Sequence, residues 1–306
     1  MSLVRTEAKK VKAKKKLNAS DVAAWVMLLP LVVGLAVFTI IPQIQNISWT
    51  FLDMEGYKIT GFAGLANYKR ILSDTAFIKT LLNTCQYVFW SMLTGFILPI
   101  VLAVLLNEMV HLRNSLRVLI YFPNVLPGVA VAMLWYFMYY PDASGLLNML
   151  RGFFGMEPYT WLQDSRVTIL LIVLSMTWQG AGATSIYYFS ALQGINRELY
   201  EAAIIDGAGF FERIKMIVIP HISGVALLFG IRQITAVFSV MEQPLQMTGG
   251  GPNNASMTLG LMAYNYGFVN VKPQLSATIS FVMFLMLSVF TVVYNKLDKK
   301  IEENQM

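Results

Sequence analysis

The sequence contains very little of what enzyme active sites are built from. It has one cysteine, Cys85, and two histidines, His111 and His221, and no G-x-x-x-x-G-K-[ST] phosphate loop. One cysteine excludes a disulfide framework, and so few soft ligands give no support for a metal cluster or a Cys/His pair. We therefore predict that the chain is not an enzyme and has no catalytic residues, no metal site and no cofactor of its own.

Charged residues are scarce as well. They make up 13% of the chain, whereas soluble domains have about 25%, and mean hydropathy is +0.57. A membrane-spanning helix needs about 20 apolar residues, and the apolar runs of this length lie at about 22–42, 81–106, 118–140, 167–191, 217–241 and 276–294. We predict an all-α polytopic membrane protein with six transmembrane helices in a lipid bilayer.

Lysine and arginine are distributed unevenly between the segments that separate these runs. With the N-terminus inside, the inner segments hold about twice as many of these residues as the outer ones. This bias predicts a basic cytoplasmic tail at 1–20, a transmembrane domain at 21–295, a second cytoplasmic tail at 296–306 and a cytoplasmic loop at 196–220. The net charge of +6 is then an orientation signal, and no nucleic-acid partner is predicted.

The loop after the fourth run has the most informative pattern. From Glu201 it reads EAAIIDGAGFFERIKMIVIP. Asn196 is a favourable N-cap, and Glu198 and Glu201 lie in the first turns, where the helix dipole favours negative charge. Gly207 accepts the left-handed conformation that ends a helix. The pattern predicts a short helix, a sharp turn and a second short helix.

Polar side chains inside the apolar runs are the second signal. Arg232, Thr235, Ser239 and Glu242 have helical spacing and are expected on one face. A charge at this depth faces the bundle interior, a partner or water. Hydroxyls, amides and flat aromatic rings suit a sugar path, for which the candidates are Asn124, Thr177, Trp178, Gln179, Gly180, Tyr187, Arg232, Gln233, Thr235, Ala236, Ser239, Val240 and Glu242.

These side chains also have structural interpretations. Arg232 is equally suited to an ion pair with a neighbouring helix or a second chain, and the amides of Gln179 and Gln233 to hydrogen bonds between helices. Pro123 and Pro127 interrupt the third run, a break that is tolerated where the backbone faces protein or a water-filled cavity. The helical spacing of apolar residues between 53 and 80 predicts two short interfacial helices.

Three segments together resemble one family. The loop from Glu201 is similar to the EAA loop of the membrane-spanning subunits of bacterial ABC importers. Gly64-Leu65-Ala66-Asn67-Tyr68 and Thr248-Gly249-Gly250-Gly251-Pro252 resemble segments of the carbohydrate permeases of maltose and glycerol-3-phosphate type, in the first permease of the pair. Ile219 stands where leucine is usual, and Gly224 where the family often has a second proline.

The resemblance implies the type I permease fold of ABC importers in a bacterial plasma (inner) membrane, with a multi-pass chain whose termini are both cytoplasmic. It also implies a heterodimer with a second homologous permease, two ATPase subunits that carry ATP and Mg, and an extracellular or periplasmic solute-binding protein. The residues that match the ATPase-docking motif are Glu198, Glu201, Ala202, Ala203, Asp206, Gly207 and Ala208.

Two other functions share part of this pattern. An ABC importer for a non-sugar solute would have the same fold and the same docking loop. A secondary transporter or channel would have similar apolar runs, although no internal repeat of the kind common in secondary transporters is visible. Neighbouring genes for an ATPase, a second permease and a binding protein would separate the first possibility from the second.

Overall fold

The computed structural model describes residues 19–109 and 112–305, so most of the predicted basic tail lies outside it. The chain divides into two compact units, residues 1–48 and 49–306. The described part of the first unit is helical, with α1 (Ala19–Leu35), a π-helical turn (Ala36–Ile40) and α2 (Ile41–Trp49). None of residues 23–48 is buried, so this apolar surface requires lipid or another protein chain.

The second unit begins with a hairpin in which β1 (Leu52–Glu55) pairs antiparallel with β2 (Lys58–Phe62). The helices that follow are α3 (Ala66–Leu72), α4 (Thr75–Ser91), α5 (Ile97–Glu108), α6 (Arg113–Val125), α7 (Gly128–Met138), α8 (Leu146–Phe153), α9 (Thr168–Leu192), α10 (Arg197–Ile205), α11 (Phe210–Arg213), α12 (Ile219–Phe238), α13 (Glu242–Thr248), α14 (Leu259–Tyr264) and α15 (Pro273–Gln305). Further π-helical turns lie at Met92–Phe96, Ile214–Val218 and Asn265–Val269, and a 3₁₀ turn at Trp161–Gln163.

Within the described residues, five helical stretches are long and apolar enough to cross a membrane. They are Ala23–Trp49, Thr75–Glu108, Thr168–Leu192, Phe210–Phe238 and Pro273–Val292. The predicted third span, 118–140, is not a straight helix, because α6 and α7 meet at 97°. The residue before a proline avoids the helical region, and Leu126, before Pro127, is extended with ψ 139. The bent pair counts as a sixth span only if both helices belong to one crossing.

Of the two short helices predicted between 53 and 80, α3 is confirmed, and the hairpin before it was not predicted. Only α3 is a separate short helix there, and the residues from Thr75 onward form the start of α4. The side-chain amide of Asn67 donates hydrogen bonds to the carbonyls of Thr50 and Leu52, at 3.1 and 2.8 Å, and so attaches α3 to the hairpin. The predicted tail at 296–306 is the end of α15, which is helical to Gln305.

Three clusters of buried side chains hold the second unit together. One joins the starts of α4 and α15 to the end of α12 and to α14, near the hairpin. Another lies along α9 and includes Tyr87 and Tyr139. The third joins the end of α5, the end of α9 and the start of α12. The unit therefore has a hairpin end and an opposite end, which we call the Gly207 end.

Candidate functional site

Helix α10 at the Gly207 end begins as predicted. The backbone of Asn196 is extended, and its side-chain oxygen accepts a hydrogen bond from the backbone amide of Glu198 at 3.1 Å. The Asn196 side-chain amide donates in return to the Glu198 carboxylate, also at 3.1 Å. The carboxylate lies in the first turn of the helix, where the dipole stabilises it.

The end of α10 also follows the prediction. Gly207 has φ +82, and its backbone amide donates to the carbonyl of Ile204 at 3.0 Å. The amide of Ala208 donates to the carbonyl of Ala203 at 2.9 Å, which completes the pair of bonds that defines a Schellman cap. No atom lies within 4 Å of a Cβ placed on Gly207, so the backbone conformation alone demands glycine.

The second short helix of the prediction is instead the first turn of a long one. Phe210–Phe238 is helical throughout. A π-helical turn ends at Val218, two residues before Pro220, whose missing N–H does not fit a regular α-helical ladder. Glu212 accepts a hydrogen bond from the Gly209 amide at 2.8 Å. Arg213 Nη1 donates to the carbonyl of Ala208 at 3.1 Å. The turn is thus bonded directly to a membrane-length helix.

This segment, residues 196–213, exposes large apolar side chains beside charged ones. Ile205 is 85% exposed and Phe211 81%. An open groove of about 580 Å³ runs beside it, lined by Leu199, Ala202, Ala203, Asp206, Gly207, Ala208, Glu212, Arg213, Met216 and Ile217. Exposed apolar surface of this kind marks a protein-interaction site. We call residues 196–213 the coupling segment.

A polar cleft opens between α6, α9 and α12. It consists of two adjoining cavities of about 520 and 320 Å³. Both are lined by Asn124, Gly180, Thr184, Gln233 and Ala236. We call the two together the central cleft. Its size and its mixture of aromatic rings with a few convergent polar groups are those of a small-molecule site.

The structure brings most of the predicted path residues into the central cleft. Those that line it are Asn124, Thr177, Gln179, Gly180, Tyr187, Arg232, Gln233, Ala236 and Val240. Trp178 instead packs edge-on against Trp135, with ring centroids 5.9 Å apart. The Thr235 hydroxyl donates to the carbonyl of Ile231 at 2.8 Å.

Ser239 and Glu242 also lie outside the cleft lining. The predicted common face of Arg232, Thr235, Ser239 and Glu242 is wrong, because α12 ends at Phe238 and Glu242 starts α13. The Glu242 carboxylate lies instead against Gly128, where an added Cβ would meet it at 2.7 Å. A carboxylate there stabilises the N-terminus of α7.

The amides in the central cleft also bond between elements. Gln179 Nε2 donates to the carbonyl of Leu126 at 3.2 Å, at the break between α6 and α7. Gln233 Nε2 donates to the hydroxyl of Ser91, next to the π-helical turn at Met92–Phe96, a feature frequent at functional sites. Both interpretations of these glutamines therefore apply, since each lines the cleft and each joins two helices.

Arg232 faces aromatic rings in the central cleft. Its guanidinium carbon lies 5.9 Å from the centre of the Phe229 ring, which is 5.2 Å from the ring of Tyr187. Among the residues that the structure describes, the side chains of Arg166 and Asp164 form an ion pair at 2.8 Å. No acidic side chain in this part of the chain pairs with Arg232. Its charge is therefore directed to the cleft or to another chain.

Several lining residues are missed by sequence reasoning. Tyr121, Thr184, Phe229 and Gln243 line the central cleft. Thr184 directly follows the small residues 180–183. That stretch was the sequence signal from which its position in the cleft could have been predicted. Gly182 allows α6 to cross α9 closely, because a Cβ there would lie 1.7 Å from the carbonyl oxygen of Ile120. This contact brings Tyr121 and Asn124 to the cleft.

Long apolar helices, a broken span and a polar cleft between them define a multi-pass membrane permease. Residues 81–303 match the family described as "Binding-protein-dependent transport system inner membrane component". The match covers most of the chain, which therefore belongs to this family.

Similar proteins extend over nearly the full length. The chain is 32% identical to the trehalose/maltose transport system permease protein MalF of Thermococcus litoralis, over 90% of this chain and 93% of that protein. It is 31% identical to the lactose transport system permease protein LacF of Rhizobium radiobacter, over 89% and 92%.

A solved structure has the same fold. A chain of a bacterial ABC transporter that imports the acidic polysaccharide alginate superposes with a TM-score of 0.82, at 22% identity, over 92% of this chain and 96% of that one. The chain thus has the type I permease fold. It is the membrane permease subunit of a binding-protein-dependent ABC importer, not an enzyme, and the ATPase is a separate subunit.

Proposed function

We propose that this permease imports a sugar or oligosaccharide through the central cleft. The observation that carries the proposal is the combination of amides, hydroxyls and aromatic rings, with Gln179, Gln233, Thr184 and Tyr187 around one cavity system. Amides and hydroxyls exchange hydrogen bonds with sugar hydroxyls, and a flat ring covers the apolar face of a pyranose. The named substrates of the relatives, trehalose, maltose and lactose, support the same class.

The coupling segment is the proposed dock for the ATPase. Its exposed apolar side chains are suited to a cleft on a soluble subunit, and the motif residues Ala202, Ala203, Asp206, Gly207 and Ala208 line the groove beside it. Glu198 and Glu201 contribute the polar edge of α10. ATP and Mg bind to the ATPase in this proposal. The Gly207 end and both termini are then cytoplasmic.

The proposed assembly contains a second homologous permease, two ATPase subunits and a solute-binding protein at the hairpin end. Closure of the ATPase dimer moves the coupling segment, and α12 receives that motion directly because it is continuous with α11. The cleft then opens alternately to the two sides. Such coupling requires two states that contact the partner differently.

Uptake by the assembled transporter tests the role of the cleft. Removing one buried hydrogen-bond partner costs about 1–3 kcal/mol, so Gln179→Ala and Gln233→Ala should slow uptake of the transported sugar while complex yield and basal ATP hydrolysis are retained. Gln193→Ala is the matched control, because this exposed residue carries the same amide at the Gly207 end of α9. Normal transport by both cleft variants would contradict the proposal.

Arg232→Ala separates the two interpretations of the charge. If Arg232 pairs with an acidic residue of the second permease, the variant should lower the yield of the complex. If the guanidinium faces the substrate, yield should stay normal and uptake should fall. Measuring yield and uptake on the same preparation distinguishes these outcomes.

A further inference from the structure

A second cavity lies near the hairpin end and is distinct from the central cleft. Its volume is about 470 Å³, within the range of small-molecule sites. We call it the outer cavity, and its lining includes Tyr136, Tyr139, Gln163 and Gln246. It is an open cavity bordered by the end of α7, the 3₁₀ turn at Trp161–Gln163 and α13 with the loop that follows.

The lining of the outer cavity combines aromatic rings with side-chain amides. Tyr136 is 39% exposed, and the Tyr139 ring lies 6.1 Å from that of Trp161. Gln163 and Gln246 are exposed, and across residues 19–109 and 112–305 their side-chain amides have no protein hydrogen-bond partner. Rings that stack and amides that remain available are what a saccharide requires.

Helix α13 connects the outer cavity to the central cleft. Gln243 lines the central cleft, whereas Gln246 lines the outer cavity. Residues three apart lie on the same side of a helix, and at 1.5 Å per residue the two are about 5 Å apart along its axis. Amide side chains therefore extend from the outer cavity through Gln243 to Gln179 and Gln233.

We infer that the outer cavity is a saccharide subsite of this permease, which binds the trailing sugar units while the leading units occupy the central cleft. This inference rests on the proposed function. A substrate that fits into the central cleft alone does not reach the outer cavity. The subsite therefore selects for chain length, and its loss should affect long substrates and leave short ones unchanged.

The experiment uses the complete transporter with its binding protein in proteoliposomes. The probe is a size-graded mixture of maltose-, lactose-, arabinan- and alginate-derived saccharides, with lumenal contents measured by mass spectrometry. The variants are Gln163→Ala with Gln246→Ala, together and singly, and Tyr136→Ala. Gln193→Ala is the control for the amide, and Gln233→Ala is the reference variant for the central cleft.

The double glutamine variant should reduce uptake of the longer members of the transported series by about three- to tenfold, as expected from the loss of one or two hydrogen bonds. Disaccharide uptake should match the wild type. Gln233→Ala should reduce uptake at every length, and Gln193→Ala at none.

Three results would overturn the inference. An unchanged length profile in the double variant shows that no saccharide binds there. Equal loss at every length, with weaker stimulation of ATP hydrolysis by the binding protein, assigns the cavity to protein docking instead. Failure of the wild type to take up any member of the mixture removes the saccharide assignment itself, which distinguishes failure of the proposed function from failure of the subsite.

Discussion

The coupling segment and the loop after α13 have the clearest sequence patterns, and they differ in what their hydrogen bonds connect. In the coupling segment the hydrogen bonds are local, such as those of Gly207 and Ala208 to the preceding turn and that of Glu212 to Gly209. The apolar side chains of Ile205 and Phe211 remain exposed. The segment has a fixed shape but an uncovered surface.

The other loop, Thr248–Thr258, which we call the TGGGP loop, is bonded to a distant helix. Asn83 Nδ2 donates to the carbonyls of Asn254 and Met257 at 2.7 and 3.1 Å, and the Tyr87 hydroxyl donates to the carbonyl of Ser256 at 3.1 Å. Ser256 and Thr258 are fully buried. The difference teaches that the chain itself covers one loop, whereas it leaves the apolar surface of the other uncovered.

The largest expected effect comes from straining the coupling segment. In Gly207→Val a β-branched residue must adopt φ +82, which costs about 1–2 kcal/mol and misplaces the link to α12. We expect loss of transport, with the ATPase either dissociating or hydrolysing ATP without uptake. Gly224→Val is the control, because that helical glycine also has nothing within 4 Å but no positive φ. Full transport by Gly207→Val at normal expression would refute the assignment.

Charging the uncovered surface should have the next largest effect. Ile205→Asp removes an apolar side chain that a docked ATPase would bury, a loss of about 1.5–3 kcal/mol, so affinity for the ATPase should fall about ten- to a hundredfold. Ile205→Val should retain most of it. Titration of the detergent-solubilised permease pair with the ATPase measures this. Equal affinity of all three proteins would show that Ile205 does not touch the partner.

In the TGGGP loop a substitution should lower stability and not partner affinity. Asn83→Ala removes the donor of the Met257 carbonyl and one of the two donors of the Asn254 carbonyl, which keeps the Met257 amide at 3.4 Å. An unpaired buried carbonyl costs about 1–3 kcal/mol, so the purified complex should unfold at a lower temperature. Asn270→Ala, at an exposed position, should not change the midpoint. If Asn83→Ala weakened ATPase binding and left the midpoint unchanged, the contrast between the two loops would be wrong.

The smallest effect tests how the coupling segment is anchored. Tyr200 packs on the core cluster at the Gly207 end, and burial raises the pKa of its phenol. Among the residues that the structure describes, its hydroxyl has no hydrogen-bond partner. Tyr200→Phe should therefore leave coupling unchanged, whereas Tyr200→Ala should weaken it. A coupling defect in Tyr200→Phe would contradict this and show that the buried hydroxyl itself is required.

Features governed by local rules were predictable from the sequence. The N-cap at Asn196 and the helix end at Gly207 depend on neighbouring residues alone, and both are confirmed. The hairpin was missed because every residue of β2 is exposed, so its sequence has no alternation of apolar and polar side chains. The alternation of apolar and polar residues in β1 and the turn at Gly56 were the signals available in the sequence.

On α12, the face predicted from helical spacing holds only as far as the helix is regular. The helix ends at Phe238, where distant groups meet the chain: the Thr258 hydroxyl donates to the carbonyl of Val240 at 2.6 Å, and Gly260 lets α14 approach the carbonyl of Ser239. Helical periodicity contains no information about such tertiary contacts. Ser239 and Glu242 were therefore assigned to a face that does not exist.

The close crossing at Gly182 has a mechanical consequence. With no side chain between them, the backbones of α6 and α9 are in close contact at Ile120, and we expect α6 to pivot at this point. The bend at Leu126 and Pro127 joins α6 to α7, so we expect α7 to move when α6 rotates. We expect the width of the cleft to be adjusted by rotation at this joint and not by translation of whole helices.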